Sequence, residues 1–335
     1  MKKGAEGMKT DADRVRGWMG HPDQQLQVRR FRLSGGREEG LECIDVQAGS
    51  GLSFTVVPGH GMSIQACRYR GINLTYLPFG GSSGPGMTWQ MEEYFEGGLM
   101  FTCGLDNTGP ANGSYGLHGL VRRLPAQNVT VSRRFVEGGQ EVEIKGQVIQ
   151  SGLAVPSLVL ERRIRCGDLI PEIWIHDRIF NASGIPAGWM IMYHFNIGWP
   201  LLSPKARLHI PGISIKPKNE TAARDLDTCL RVLGPQPRWQ PQVFFHTLDP
   251  EADRARIAIE NHEAGIGAAI TVNPGQLPYL TQWRDFREGE YVLGLEPCNV
   301  LPLGRSRTEA QNRLPVLEPG EERQMDLTFR VWDLQ

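Results

Sequence analysis

No run in the 335 residues approaches the ~18 consecutive apolar residues of a membrane span. The N-terminal stretch MKKGAEGMKTDADRVRGWMG is basic but has no apolar core of the kind a secretory signal carries. The six cysteines, at 43, 67, 103, 166, 229 and 298, lie tens of residues apart with no CxxC pair, which excludes a zinc module or a small disulfide framework. These absences predict a soluble protein of a reducing compartment, cytoplasmic, with no membrane partner. Charge of one sign is also lacking. Lys and Arg total 36 against 37 Asp and Glu, a formal net charge of -1, so there is no basic domain to bind nucleic acid. Phosphate loops (GxxxxGK[ST]), strand-linked GxGxxG, HExxH and GxSxG are all missing, which leaves nucleotide, dinucleotide, zinc-protease and hydrolase-elbow chemistry without support. The eight histidines form no HxH or HxxxH pair, so neither a metal nor a cofactor is expected. Helical periodicity over ten or more residues is scarce, residues 11–19 and the short PEADRAR segment (250–256) being the best candidates.

Glycine (40) and proline (23) are plentiful and scattered, and the runs they separate look like strands. LSFTVV (52–57), NVTVSRRF (128–135), EVEIKGQVI (141–149), EIWIHDRIF (172–180), ARIAIEN (255–261) and QMDLTFRVW (324–332) are the clearest. EVEIKGQV and MDLTFRV alternate polar and apolar residues, the period-two mark of a half-buried antiparallel strand. With no composition shift to divide the chain, this pattern predicts an all-β protein, one large antiparallel β-sandwich over residues 40–335, with residues 1–39 as an N-terminal extension packed against it. The sheet edges of such a sandwich offer a surface that a homodimer would cover. PFGGSSGPG (78–86) and NTGPANGSYG (107–116) are too glycine-rich for strands and are expected to be long loops, where binding and catalysis commonly reside.

Three polar residues in apolar or glycine-rich settings carry the chemical argument. His118, in GLHGLVRRLPA (116–126), lies where a strand would begin, or else is a turn histidine. His194 and Asn196, in WMIMYHFNIGWPLLS (189–203), are two apart and so face one side of a strand among bulky apolar neighbours. Such groups must hydrogen-bond within the fold or face a pocket. Glu296, in EYVLGLEPCNVLPLG (290–304), follows an apolar run and precedes Pro297, which places it where a strand leaves the sheet. A carboxylate there either pairs or has a raised pKa. An imidazole and a carboxylate in one pocket suit proton relocation on a polyhydroxylated substrate. Trp283, in TQWRDF (281–286), offers a flat apolar face to the C–H side of a sugar ring.

On these residues the sequence resembles the galactose mutarotase-like superfamily, and within it the aldose 1-epimerase-related branch catalogued as DUF4432. The resemblance is carried by VVPGHGMSIQACRYRGINL (56–74), YFEGGLMFTCGLDNTGP (94–110) with LHG (117–119), DRIFNASGIPAGWMIMYHFNIGWPLL (177–202) and GLEPCN (294–299), in the family's order. It implies a large antiparallel β-sandwich, agreeing with the strand pattern. It also implies anomer interconversion of a free sugar, with His194 as acid and Glu296 as base. By the same resemblance His118 contacts the ring side of the sugar, Asp106 and Asn107 stand where the family has an Asn-Arg pair, and His246 in FFHTLDP (244–250) is placed in the pocket. Asn196, Gln282 and Trp283 complete the expected substrate-binding set. The departures leave the sugar open between hexose, pentose and deoxy sugar. The same His and carboxylate also suit a sugar isomerase, carbon epimerase or lyase, and the fold alone suits a non-catalytic sugar-binding protein.

Overall fold

The chain is described by a computed structural model covering residues 17–85, 95–136, 139–153 and 155–334. From the amino end, β1 (Leu26–Arg32), β2 (Glu42–Ala48), β3 (Leu52–Val57), β4 (Ser63–Tyr69), the two-residue β5 (Ile72–Asn73) and β6 (Met100–Leu105) belong to one antiparallel sheet. The next four, β7 (Gln127–Val136), β8 (Gly139–Gly152), β9 (Val155–Gly167) and β10 (Glu172–Asn181), build half of a second sheet. After the short β11 (Ala187–Gly188), β12 (Met190–Ile197) returns to the first sheet. Then β13 (Arg207–His209) joins the second sheet, β14 (Gly212–Pro217) and β15 (Gln242–Leu248) the first, and β16 (Ala255–Asn261) and β17 (Ile266–Val272) the second. Finally β18 (Tyr279–Asp285) and β19 (Val292–Cys298) complete the first sheet, β20 (Val316–Leu317) pairs with β11, and β21 (Glu322–Asp333) completes the second.

The first sheet runs β1-β2-β3-β4-β6-β12-β19-β18-β15-β14 with β5 on β4, and the second runs β13-β16-β17-β21-β10-β9-β8-β7. All the strand-like runs in the sequence are strands. In β8 valine, isoleucine and glycine alternate inward against glutamate, lysine and glutamine, the half-buried pattern that EVEIKGQV predicts. Leu26, Ile44, Phe54, Ile64, Phe195 and Leu295 from the first sheet meet Ile144, Leu160, Ile175, Ile257, Ile270 and Phe329 from the second in one continuous core. The strand at residues 26–32, within the stretch expected as an N-terminal extension, adds the edge of the first sheet.

The PEADRAR segment is not helical: Pro250 and Glu251 turn, and the chain enters β16 at Ala255. Ala255, Ile257 and Ile259 repeat every second residue and are buried, so the strand period wins over a helical run too short to nucleate. For the 11–19 candidate, residues 11–16 lie outside the described residues and Gly17 and Trp18 form a turn. Among the described residues no helix is long and apolar enough to cross a membrane.

One buried polar cluster ties the sheets together. Arg162 on β9 donates to Asp177 on β10 through Nε at 2.8 Å and Nη2 at 2.5 Å, and Tyr193 on β12 donates its hydroxyl to the same carboxylate at 2.8 Å. Arg162 also reaches Thr102 Oγ1 on β6 at 2.7 Å and the carbonyls of Gly61 and Met62, both at 3.3 Å. The Arg162 and Asp177 side chains are 0% exposed, and the cluster touches the residues next to His194 and Phe101 in sequence.

Candidate active site

β12 is buried along all eight residues, so every side chain on it faces either the inter-sheet core or the opposite side of the first sheet. Tyr193, Phe195 and Ile197 take the core, which sends His194 to the other face. The β12–β19 register pairs Phe195 with Leu295 and Met192 with Cys298, so His194 stands directly across from Glu296. His194 Nε2 and Glu296 Oε1 are 3.1 Å apart, with side chains 5% and 3% exposed. The contact is not aligned as a hydrogen bond, and His194 Nδ1 and Glu296 Oε1 have no hydrogen-bond partner. Contrary to the sequence expectation, Glu296 does not end its strand: it pairs with Thr281 inside β19, which continues to Cys298.

The pair lies on the wall of a 480 Å³ cavity shared with Phe95, His118, Lys218, Thr281, Trp283, Asp285, Arg287 and Glu290, among others. This is within the size range of small-molecule sites, about 300–1,000 Å³. Phe101 stacks on the His194 ring at 4.5 Å between centroids and 17° between planes, and Trp283 meets it edge-on at 5.7 Å. The Arg122 guanidinium lies 5.8 Å from the centre of the Phe101 ring and 3.6 Å from Glu96. Burial pushes the Glu296 carboxyl up to about 8, with Lys218 pulling it partly back. Burial, the His118 ring and Arg122 hold His194 well below the ordinary value, against an opposing contribution from Asn196. Both shifts favour the uncharged forms near neutrality, a protonated carboxyl beside a neutral imidazole.

His118 belongs to a turn and not to the start of a strand. Its backbone is left-handed at φ 60°, fixed by its N–H donating to Gly109 O at 2.9 Å and its carbonyl accepting from Gly104 N at 3.0 Å. The Gly109 N–H donates to His118 Nδ1 at 3.3 Å. Burial and the cations Arg122 and Lys218 lower the His118 pKa to about 3. His118 is therefore neutral, with Nδ1 occupied as an acceptor and its proton on Nε2. Gly294, on the same face of β19 as Glu296, leaves the space that the carboxylate fills. A Cβ there would lie 2.5 Å from Glu296 Oε1 and 3.1 Å from Trp283 Cβ.

The remaining expected contacts lie elsewhere. Asn107 is consumed by the loop that carries His118: Nδ2 donates to Pro110 O and Gly116 O at 3.1 and 2.8 Å, and Oδ1 accepts from Arg305 N at 2.7 Å. Asp106 accepts from Leu120 N at 3.3 Å behind the same loop. The Asn196 amide donates to Gly98 O at 2.9 Å and His194 O at 3.2 Å, which fastens the strand below the cavity. His246 and Gln282 bond each other at 2.9 Å on the reverse face of the sheet, where Gln282 also donates to Cys229 O at 2.7 Å. Strand parity explains this: Val243 and Phe245 line the cavity, so His246 turns away, and Thr281 and Trp283 line it, so Gln282 turns away. Parity also shows what the sequence reading missed, since Asp285 follows Trp283 by two. Among the described residues no group of three or more His, Cys, Asp or Glu is arranged to hold a metal ion.

Residues 38–331 match the family model described as a domain of unknown function, DUF4432. Among solved structures, the chain is similar to a candidate aldose 1-epimerase from Klebsiella pneumoniae, with 28% identity, 91% of this chain and 83% of that one covered, and a TM-score of 0.85. It shares its fold with a galactose mutarotase-like protein from Clostridium acetobutylicum (13% identity, 93% and 100% covered, TM-score 0.62). The galactose 1-epimerase of Lactobacillus acidophilus has the same fold (11% identity, 93% and 100% covered, TM-score 0.61). No curated protein matches the sequence.

Proposed function

The chain belongs to the DUF4432 family, and from its fold and cavity we propose that it is an aldose 1-epimerase, a mutarotase interconverting the α and β anomers of a free monosaccharide. The observation that carries this reading is the buried His194–Glu296 pair, 3.1 Å apart on the cavity wall, where burial favours a proton on the carboxyl. Transfer of that proton from carboxyl to imidazole gives a carboxylate base beside an imidazolium acid. Glu296 takes the proton of the C1 hydroxyl while His194 protonates the ring oxygen, and the bond from C1 to the ring oxygen breaks. The C1 aldehyde rotates about C1–C2, and reclosure with the two transfers reversed gives the other anomer and restores the pair. The His118 Nε2–H donates to a sugar oxygen, and Trp283 supports the C–H face of the ring.

The test is proton exchange NMR on galactose, glucose, fucose, rhamnose, arabinose, xylose, ribose and 2-deoxyribose in deuterated water. Anomeric cross-peaks that grow with enzyme concentration are expected for at least one sugar. No acceleration on any sugar overturns the assignment. Deuterium entering a sugar carbon would point instead to the isomerase, carbon epimerase or lyase reading, because mutarotation exchanges only hydroxyl protons.

Two further results follow from the pair. Activity requires one shared proton, so kcat/KM falls as pH rises past about 8, where Glu296 loses it. The acid limb lies below the ordinary histidine value, because His194 takes its second proton only there. A pH–rate profile flat from 6 to 10 would contradict this. Gly294→Ala is expected to fold, since the nearest obstacle is the movable end of Glu296, and to lower kcat by about tenfold by displacing that carboxylate, a misplacement on the ångström scale. Wild-type kcat in Gly294→Ala would show that the carboxylate's position is not critical.

A further inference from the structure

Thr281, Trp283 and Asp285 alternate onto the cavity face of β18, and Thr281 stands opposite Glu296. Asp285 is therefore four residues, ~13 Å, along the strand from the level of the acid–base pair, with Trp283 as the floor between. At that far end is a built polar group. The Asp285 carboxylate is 1% exposed, yet it reaches the cavity wall and grips Arg287 through both Nε (2.9 Å) and Nη2 (2.6 Å). A fork pinned in this way cannot swing, so the remaining N–H groups of Arg287 are presented in a fixed direction. Beside it, Glu290 accepts the Tyr76 hydroxyl on Oε2 at 2.6 Å, which holds the carboxylate in place and leaves Oε1 as an acceptor. Donors and an acceptor side by side are what a sugar hydroxyl needs.

We propose that Asp285, Arg287 and Glu290 form the recognition set for the ring edge opposite C1, which in a pyranose carries the C4 hydroxyl. This rests on the mutarotase reading only for the placement of C1 at Glu296. In a pyranose with C1 at Glu296 the ring position across from C1 is C4, so O4 is the hydroxyl turned toward this end of the cavity. Sugars blocked at O4, such as the reducing unit of a 1,4-linked disaccharide, would place their substituent against the pinned fork and are excluded.

The test uses equilibrium binding, by calorimetry or ligand-observed NMR, of methyl glucopyranoside, methyl galactopyranoside and the 4-deoxy compound they share. Methyl glycosides cannot open, so the measurement does not depend on turnover. For wild type, the better parent is expected to bind at least about tenfold more tightly than the 4-deoxy compound, because a site built to bond a hydroxyl is left unpaired without it. In Arg287→Met that ratio falls to about twofold or less. Because Arg287→Met leaves the buried Asp285 carboxylate without its partner, the double variant Asp285→Asn with Arg287→Met, which leaves no unpaired charge, is measured beside it and melting curves check that both fold. The proposal is overturned if the 4-deoxy compound binds wild type as well as both parents do, if the ratio survives in Arg287→Met, or if none of the three binds. Preserved discrimination without anomer exchange on any reducing sugar would remove the mutarotase reading and leave the recognition set standing.

Discussion

Glu296→Gln is expected to abolish nearly all accelerated anomer exchange, lowering kcat by about 10²–10⁴-fold, while the protein folds as before. The amide keeps the shape of the carboxyl but can neither accept the C1 hydroxyl proton nor supply one to His194. The stability side of this substitution has a definite sign. The carboxyl titrates near its ordinary 4.5 in the unfolded chain and at about 8 in the folded one. Its contribution is thus fully present below pH 4.5 and is lost as pH rises through 8, where a buried charge has to be created. Glutamine carries no such charge, so the melting temperature of the variant gains on wild type with rising pH and is ahead at pH 9. On the proposed mechanism His194→Ala is expected to be equally inactive, because the ring oxygen then has no acid. Exchange spectroscopy and melting curves at pH 6 and 9 read both effects. Turnover close to wild type in either variant would remove the pair from the chemistry.

Asp177→Ala is the substitution expected to cost most in stability, about 3–5 kcal/mol. Among the described residues Asp177 is the only carboxylate bonded to the Arg162 guanidinium, and both side chains are sealed between the sheets. Without it a buried cation and the Tyr193 hydroxyl lose their partner together. The urea midpoint of Asp177→Ala is expected to drop sharply, whereas replacing Arg162 and Asp177 together by Met and Leu recovers much of the loss, because no unpaired charge remains. A drop below about 1 kcal/mol in the single variant would show that water reaches the guanidinium after all.

Most of the fold was legible in the sequence because period-two alternation is a local signal. EVEIKGQV and MDLTFRV each show their buried face without reference to any partner. That His194 and Glu296 share one site was legible for a similar reason: a histidine and a glutamate embedded in long apolar runs have few places to go. What was not legible depends on which face a strand turns toward the cavity. His246 lies only one residue past Phe245, and one residue is enough to send it to the opposite side of the sheet. Asp106 and Asn107 were hidden differently, since their bonds to Leu120, Pro110, Gly116 and Arg305 exist only once the loop has closed. Asp285 and Arg287 escaped notice because an exposed-looking RDFRE run gives no hint that its aspartate is buried.

His194 and Glu296 sit on β12 and β19, interior strands with neighbours on both sides, while His118 hangs from a loop whose residues 110–114 are exposed. Protection against local opening follows the same division. His194 and Glu296 open only with the whole sandwich, but His118 can loosen earlier. On the proposed function, warming is therefore expected to wear away discrimination between sugars before it slows the exchange.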